Sequence, residues 1–189
     1  SLKLHSLAAN SAAMMSTLNL AVKSKARYVF ASSSVVYGEP EMDDRAFTEE
    51  HEGIVQHLSP RGCYDEGKRF AETCVSTYRQ VYGLDAKIAR VFSTYGPRMP
   101  LRDGLLIPDF IINAIEGKSL TIYGDGQLKQ SLCYVSDMVD GLIRLMQSGV
   151  DTWIVNIGSD EIYRMEDVAQ MIISMVDSSS QIQFEDPLV

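Results

Sequence analysis

In Arg27-Tyr28-Val29-Phe30-Ala31-Ser32-Ser33-Ser34 (residues 27–34), the four residues from Tyr28 to Ala31 are a short apolar run that ends in three hydroxyl side chains. A run of this kind suits a strand buried on both faces, as in a parallel sheet covered by helices. Upstream, Leu7, Met14, Leu18, Ala21 and Val22 recur at helical spacing, which predicts a helix over 5–25. Downstream, a polar loop is expected over 38–58. A helix then begins with Ser59 as its cap and Pro60 in its first turn, carries Cys63, Phe70, Ala71, Cys74, Val75 and Tyr78, and stops at Gly83. A second strand reads 86–92, closed by Tyr95-Gly96-Pro97. Then come a helix at 107–116 stopped by Gly117, a strand at 120–123, a helix capped by Asp137, a strand at 154–157 and a helix at 166–176. Strands alternating with helices imply an α/β fold with a mainly parallel sheet.

Composition narrows the function classes. The chain has 189 residues, 46% of them hydrophobic, with 17 basic and 25 acidic side chains and a net charge of −8. That is the make-up of an ordinary folded domain and not of a disordered chain. No stretch approaches the roughly 18 apolar residues of a membrane span. The acidic balance argues against a nucleic-acid surface, which gathers Lys and Arg. Cys63, Cys74 and Cys133 are too scattered for a disulfide framework or zinc site, and His5, His51 and His57 show no metal-ligand spacing, so no metal is expected. No secretory signal pattern is present, and the cytoplasm is the expected compartment.

The chemistry is expected at strand ends, because ligands of such sheets sit beyond the carboxyl ends of their strands. Ser33 follows the first strand, and Ser93-Thr94 follow the second. Tyr64 and Lys68 lie four apart and share one helical face. A free tyrosine has a pKa near 10, and a neighbouring ammonium stabilises the phenolate, so the pair suits proton removal from a substrate hydroxyl. The spacing alone is weak, since this composition yields about 0.3 chance Y-x-x-x-K matches. Its context strengthens it: the pair follows Ser59-Pro60 and lies 31 residues after Ser33.

On the triplet Ser33, Tyr64 and Lys68 the sequence resembles the extended short-chain dehydrogenase/reductases that act on nucleotide sugars. Four further motifs carry the resemblance in order: Ser32-Ser33-Ser34-Val35-Val36-Tyr37-Gly38; Arg90-Val91-Phe92-Ser93-Thr94-Tyr95-Gly96-Pro97-Arg98-Met99; Ile122-Tyr123-Gly124-Asp125-Gly126 with Tyr134-Val135-Ser136-Asp137; and Val155-Asn156-Ile157-Gly158. The run Pro60-Arg61-Gly62-Cys63-Tyr64-Asp65-Glu66-Gly67-Lys68-Arg69 is similar to UDP-glucuronate decarboxylases in particular.

The resemblance implies a Rossmann-like doubly wound parallel sheet, incomplete at the N-terminus, with a small C-terminal substrate-binding region. Residues 1–100 would be the C-terminal half of the NAD-binding domain and carry the Ser/Tyr/Lys site. Residues 101–189 would mainly bind substrate, with a strand at about 153–157 returning near the core. It implies NAD as cofactor, a UDP-linked sugar as substrate, and a homodimer built through a four-helix bundle of the 5–25 helix and the Tyr64-bearing helix. Tyr64 would take the proton of the sugar 4-hydroxyl as hydride leaves C4 for NAD. Lys68 would hold the nicotinamide ribose, Ser33 would orient the substrate oxygen, and Ser32 and Tyr64 would also contact the cofactor. Ser34, Ser93, Arg98, Tyr123 and Gln130 would contact substrate. Arg98 suits phosphate oxygens by its planar fork. The transient 4-ketone makes a uronic acid a β-keto acid, which loses carbon dioxide.

The sequence departs from the family pattern at three positions. Val35 stands where decarboxylases and 4,6-dehydratases carry an acid, Ser93 stands where the family has Asn, and Gln130 stands where it has a phosphate-binding Arg. Val35 favours an epimerase-like reaction, so decarboxylase and 4-epimerase both remain open. A non-catalytic homologue that binds a nucleotide sugar or a partner is the alternative from another class, and a generic α/β domain with chance motifs is a third reading. The family also opens with a Gly-rich phosphate loop, and no G-x-G-x-x-G or G-x-x-G-x-x-G occurs in these 189 residues. By resemblance residue 1 falls inside the helix before the fourth strand, and the expectation is a larger protein, without which these residues would be inactive.

Overall fold

The computed structural model describes residues 2–38, 46–149 and 151–186, so the 39–45 portion of the expected polar loop lies outside the described residues. In chain order come α1 (Leu2–Ala8), a π-helical turn (Ala9–Ala13), α2 (Met14–Ser24), β1 (Tyr28–Ser33), a 3₁₀ turn (Ser34–Tyr37), α3 (Gly62–Tyr82), β2 (Ala86–Val91) and β3 (Thr94–Tyr95). The second half adds α4 (Leu106–Ile115), β4 (Leu120–Tyr123), β5 (Lys129–Ser131), β6 (Cys133–Tyr134), α5 (Val135–Gln147), β7 (Ile154–Ile157), β8 (Ile162–Arg164), α6 (Met165–Met175) and β9 (Ile182–Glu185).

The chain forms two compact units, Ser1–Phe92 with Met138–Ile157, and Ser93–Asp137 with Gly158–Val189. In the first, β1, β2 and β7 form a parallel sheet in that order. Leu18, Ala71, Val75, Ala86 and Ile88 are buried together with Phe30, where α2 and α3 cover the sheet. In the second, β4 pairs with β9 in parallel, and Phe110, Leu120, Ile122, Met165 and Ala169 form its core. Short pairs β3–β6 (parallel) and β5–β8 (antiparallel) complete it. The α/β class and the parallel sheet are as the alternation implied.

Three local expectations are corrected. The helix expected over 5–25 is interrupted by the π turn at Ala9–Ala13, where Asn10 is buried and its amide donates to the Ser6 carbonyl at 3.0 Å. The helix expected from Ser59 starts at Gly62 instead. Successive turns, Ser59 N–H to the Gln56 carbonyl (2.9 Å) and Gly62 N–H to the Ser59 carbonyl (3.0 Å), occupy the intervening backbone. Asp137 is not a cap, because α5 begins at Val135. Asp137 therefore sits in the first turn, where its charge suits the positive helix end.

Two glycines mark close approach. α3 passes the π turn at Gly67, where a Cβ would stand 3.2 Å from the Asn10 side chain. Gly53 has φ +64°, and a Cβ there would meet the Tyr37 carbonyl oxygen at 2.0 Å. Gly53→Ala is expected to destabilise the protein by about 1–3 kcal/mol through backbone strain alone, with the contact adding to it. Denaturant unfolding of the variant checks this, and an unchanged midpoint contradicts it.

Candidate active site

β1 changes character along its length. Phe30, Ile88 and Ile154 are register partners across the three strands, and the row two residues further is Ser32, Arg90 and Asn156. Residues two apart on a strand share a face, so a polar row follows an apolar one at the carboxyl end of the sheet. That is where an α/β sheet receives ligands.

Helix α3 supplies the facing side chains. Tyr64, Lys68 and Glu72 are spaced by four and lie on one helical face. The Lys68 ammonium donates to the Ala31 carbonyl at 2.9 Å and lies 4.9 Å from the Phe30 ring centroid and 5.7 Å from that of Tyr64. Tyr64 is 37% exposed, so its ring is open to a ligand. Burial lowers the Lys68 pKa from the ordinary lysine value, and the Glu72 charge opposes that shift. Ser33 ends β1 and caps the 3₁₀ turn, its oxygen accepting the Val35 N–H at 3.4 Å. The Ser33 hydroxyl proton is thereby left to donate elsewhere. Ser34 and Val35, half-buried, form the first two positions of that turn. Ser32 is buried and donates to Glu72 Oε1 at 2.5 Å.

Behind these residues lies a network that sequence reasoning did not assign. Arg90 grips Glu72 with two bonds, Nε to Oε1 at 3.1 Å and Nη2 to Oε2 at 2.8 Å. Arg90 Nη1 donates to the Tyr37 hydroxyl (2.9 Å) and the Glu49 carbonyl (2.8 Å). The Tyr37 hydroxyl donates to Asn156 Oδ1 at 2.7 Å. Asn156 donates from Nδ2 to the Phe47 carbonyl (2.9 Å) and from its backbone to the Glu49 carboxylate (2.7 Å). Tyr37 is fully buried and stacks on Phe47 with ring centroids 4.7 Å apart. Burial pushes the Tyr37 phenol up, which keeps it a neutral donor. The sequence signals available were the fourfold spacing of Tyr64, Lys68 and Glu72 and the presence of Tyr37, Arg90 and Asn156 in the family-like motifs.

The second unit carries the other candidates. Ser93 is exposed, and its carbonyl accepts the Cys133 N–H at 2.8 Å. Arg98 is exposed and adopts φ +70° in the turn after β3. Tyr123 ends β4, exposed, and Gln130 lies mid-β5 opposite Tyr163, half-buried. The first unit thus brings Ser32, Ser33, Tyr64 and Lys68 to one strand end, and the second carries Ser93, Arg98, Tyr123 and Gln130. Among the described residues no group of His, Cys, Asp and Glu could hold a metal, and no helix is long and apolar enough to cross a membrane.

Comparison with known proteins bears on the family and the fold. A family model described as NAD dependent epimerase/dehydratase family matches residues 3–158. UDP-glucuronic acid decarboxylase 1 of Danio rerio is 42% identical over 178 residues, 94% of this chain and 42% of that protein. The chain spans about half the length of the curated relatives it matches. Among solved structures, the dTDP-glucose 4,6-dehydratase of Bacillus anthracis str. Ames in complex with NAD superposes with a TM-score of 0.84 at 27% identity. That match covers 96% of this chain and 57% of the other. The UDP-glucuronic acid 4-epimerase of Bacillus cereus, in complex with UDP-glucuronic acid and NAD, superposes with a TM-score of 0.82 at 26% identity. It covers 94% of this chain and 54% of the other.

Proposed function

This chain belongs to the NAD dependent epimerase/dehydratase family, and we propose that it serves the modification of a nucleotide sugar through a transient 4-keto intermediate, with UDP-glucuronate decarboxylation as the reaction. The observation that carries the reading is the placement of the Lys68 ammonium on the Ala31 carbonyl beside the Tyr64 ring, at the carboxyl end of β1.

The residues present fit the nicotinamide half of the cofactor. Lys68 has three donors and spends one on Ala31, leaving two for ribose hydroxyls. NAD, when bound, supplies reversible hydride acceptance from sugar C4. Tyr64 takes the proton of the 4-hydroxyl, the Lys68 charge stabilises the phenolate, and the Ser33 hydroxyl donates to the same substrate oxygen. In a uronic acid the resulting ketone lies β to the carboxylate. The bond to the carboxylate then breaks, carbon dioxide leaves, and the electron pair is held as an enolate. With NAD bound, protonation of that carbon, return of the hydride to C4 and return of the Tyr64 proton to the C4 oxygen would close a redox-neutral cycle. Ser32, expected from the resemblance to contact the cofactor, is buried with its hydroxyl proton spent on Glu72, so its proposed role is to hold the strand end instead. Ser34, Ser93, Arg98, Tyr123 and Gln130 remain the proposed contacts for the rest of the substrate.

Val35 favours a second reading, 4-epimerisation, because an aliphatic side chain moves no proton at the position where the resemblance expects an acid. Incubating the full-length protein with UDP-glucuronate separates the two. UDP-xylose with carbon dioxide supports decarboxylation, and UDP-galacturonate supports epimerisation. Turnover of no UDP- or dTDP-sugar rejects both and favours a binding protein. A homodimer through α1, α2 and α3 belongs to the same reading, with exposed Leu4, Leu20 and Phe70 as apolar surface on those helices.

A further inference from the structure

We propose that Glu72 is a positioning residue for the Tyr64–Lys68 pair: it ties the end of β1 to α3 through Ser32 and presents its carboxylate, held by Arg90, to the ammonium one helical turn away. The inference rests on the assignment of Tyr64 and Lys68 to the reacting centre.

Three observations converge on it. Glu72 accepts bonds from Ser32 Oγ, Arg90 Nε and Arg90 Nη2, and its side chain is only 12% exposed. Ser32 lies between the two groups that the site needs in register. The carbonyl before it, on Ala31, seats Lys68, and the hydroxyl after it, on Ser33, is left free to donate. Anchoring Ser32 to α3 therefore sets the distance of both from the helix that bears Tyr64. The other polar ties between the helix and this segment are Lys68 itself, whose flexible stem makes a poor ruler, and Arg69, whose Nη1 reaches the Val36 carbonyl four residues beyond Ser32. Arg90 is the register partner of Ser32 on β2, so its guanidinium reaches the same carboxylate from the next strand and keeps the cluster balanced in charge.

The charge has a second consequence. The groups around Lys68 are the Ala31 carbonyl and Phe30 ring from β1, and the Tyr64 ring and Glu72 from α3. Arg90 of β2 stands behind Glu72, and the neutral Tyr37 of the 3₁₀ turn stands behind Arg90. Burial favours the uncharged amine, and Glu72 opposes it. Removing the Glu72 charge lets Lys68 lose its proton at lower pH, so activity that depends on the ammonium falls off earlier as pH rises.

Two variants of the full-length protein test this, Glu72→Gln and Ser32→Ala, read by kcat and KM against pH and by NMR titration of the Lys68 side chain. Glu72→Gln is expected to move both the Lys68 titration and the alkaline limb of kcat to lower pH. Ser32→Ala is expected to lower kcat on the order of tenfold to a hundredfold, the scale of a misplaced reacting group, while leaving the Lys68 titration in place. An unmoved Lys68 titration in Glu72→Gln, or an unchanged kcat in Ser32→Ala, overturns the proposal. Ser32→Ala decides it if Glu72→Gln fails to fold. Tyr64→Phe in parallel keeps the two claims apart. Turnover retained in that variant rejects the assignment of the reacting centre, whereas the Lys68 titration reports on Glu72 in either case.

Discussion

If the proposed decarboxylation is the reaction, Tyr64→Phe in the full-length protein is expected to lower kcat for UDP-glucuronate by about 10²- to 10⁴-fold, the usual share of a positioned acid or base. KM changes little, because the ring and its neighbours remain. The reasoning is local. Only the hydroxyl is lost; the Lys68 ammonium keeps its bond to the Ala31 carbonyl and its place over the Phe30 ring, so the proposed cofactor contact is left intact. Tyr64 is 37% exposed, and loss of its hydroxyl should cost little stability. Steady-state kinetics beside a melting curve separate chemistry from folding. An unchanged Tm with a collapsed kcat is the expected pair. An unchanged kcat means the 4-hydroxyl proton goes to another group, and the proposed mechanism fails.

Arg90→Leu should have the largest effect on stability, a loss of about 3–5 kcal/mol. The Arg90–Glu72 pair is nearly enclosed, with side chains 11% and 12% exposed, so water cannot replace the lost partner. The substitution strands the Glu72 carboxylate and also withdraws donors from the Tyr37 hydroxyl and the Glu49 carbonyl. An unpaired buried charge costs more than the pair is worth, so Arg90→Leu combined with Glu72→Leu should be more stable than Arg90→Leu alone. Urea unfolding of both variants measures this. A loss under about 1 kcal/mol for the single change would place the pair with ordinary surface ion pairs.

The local signals in the chain were strong where periodicity and punctuation agreed. The apolar run ending in Ser32-Ser33-Ser34 and the strands expected over 86–92, 120–123 and 154–157 form Tyr28–Ser33, Ala86–Val91, Leu120–Tyr123 and Ile154–Ile157, and Gly83 ends α3 in the left-handed conformation as a terminal glycine should. Signals failed where a tertiary contact overrode a local preference. Ser59-Pro60 has the chemistry of a helix start, yet the turns from Gln56 to Gly62 use that backbone first. Residues 5–25 have one helical period, yet the chain widens to a π turn where Asn10 meets Gly67. The two-residue strands β3 and β6 carry no periodic pattern, because one alternation is too short to register as a strand.

The sequence by itself determined the α/β class, because alternating apolar runs and helical periods imply it, and its resemblance to a known family made Ser33, Tyr64 and Lys68 the candidates for proton and hydride transfer. Only the tertiary structure decided that Ser32, Arg90 and Asn156 stand in one row across three strands and that Glu72 closes that row against the Lys68 helix. Register between strands that lie 50 to 70 residues apart depends on how crossover helices pack, and no local pattern in the chain encodes it.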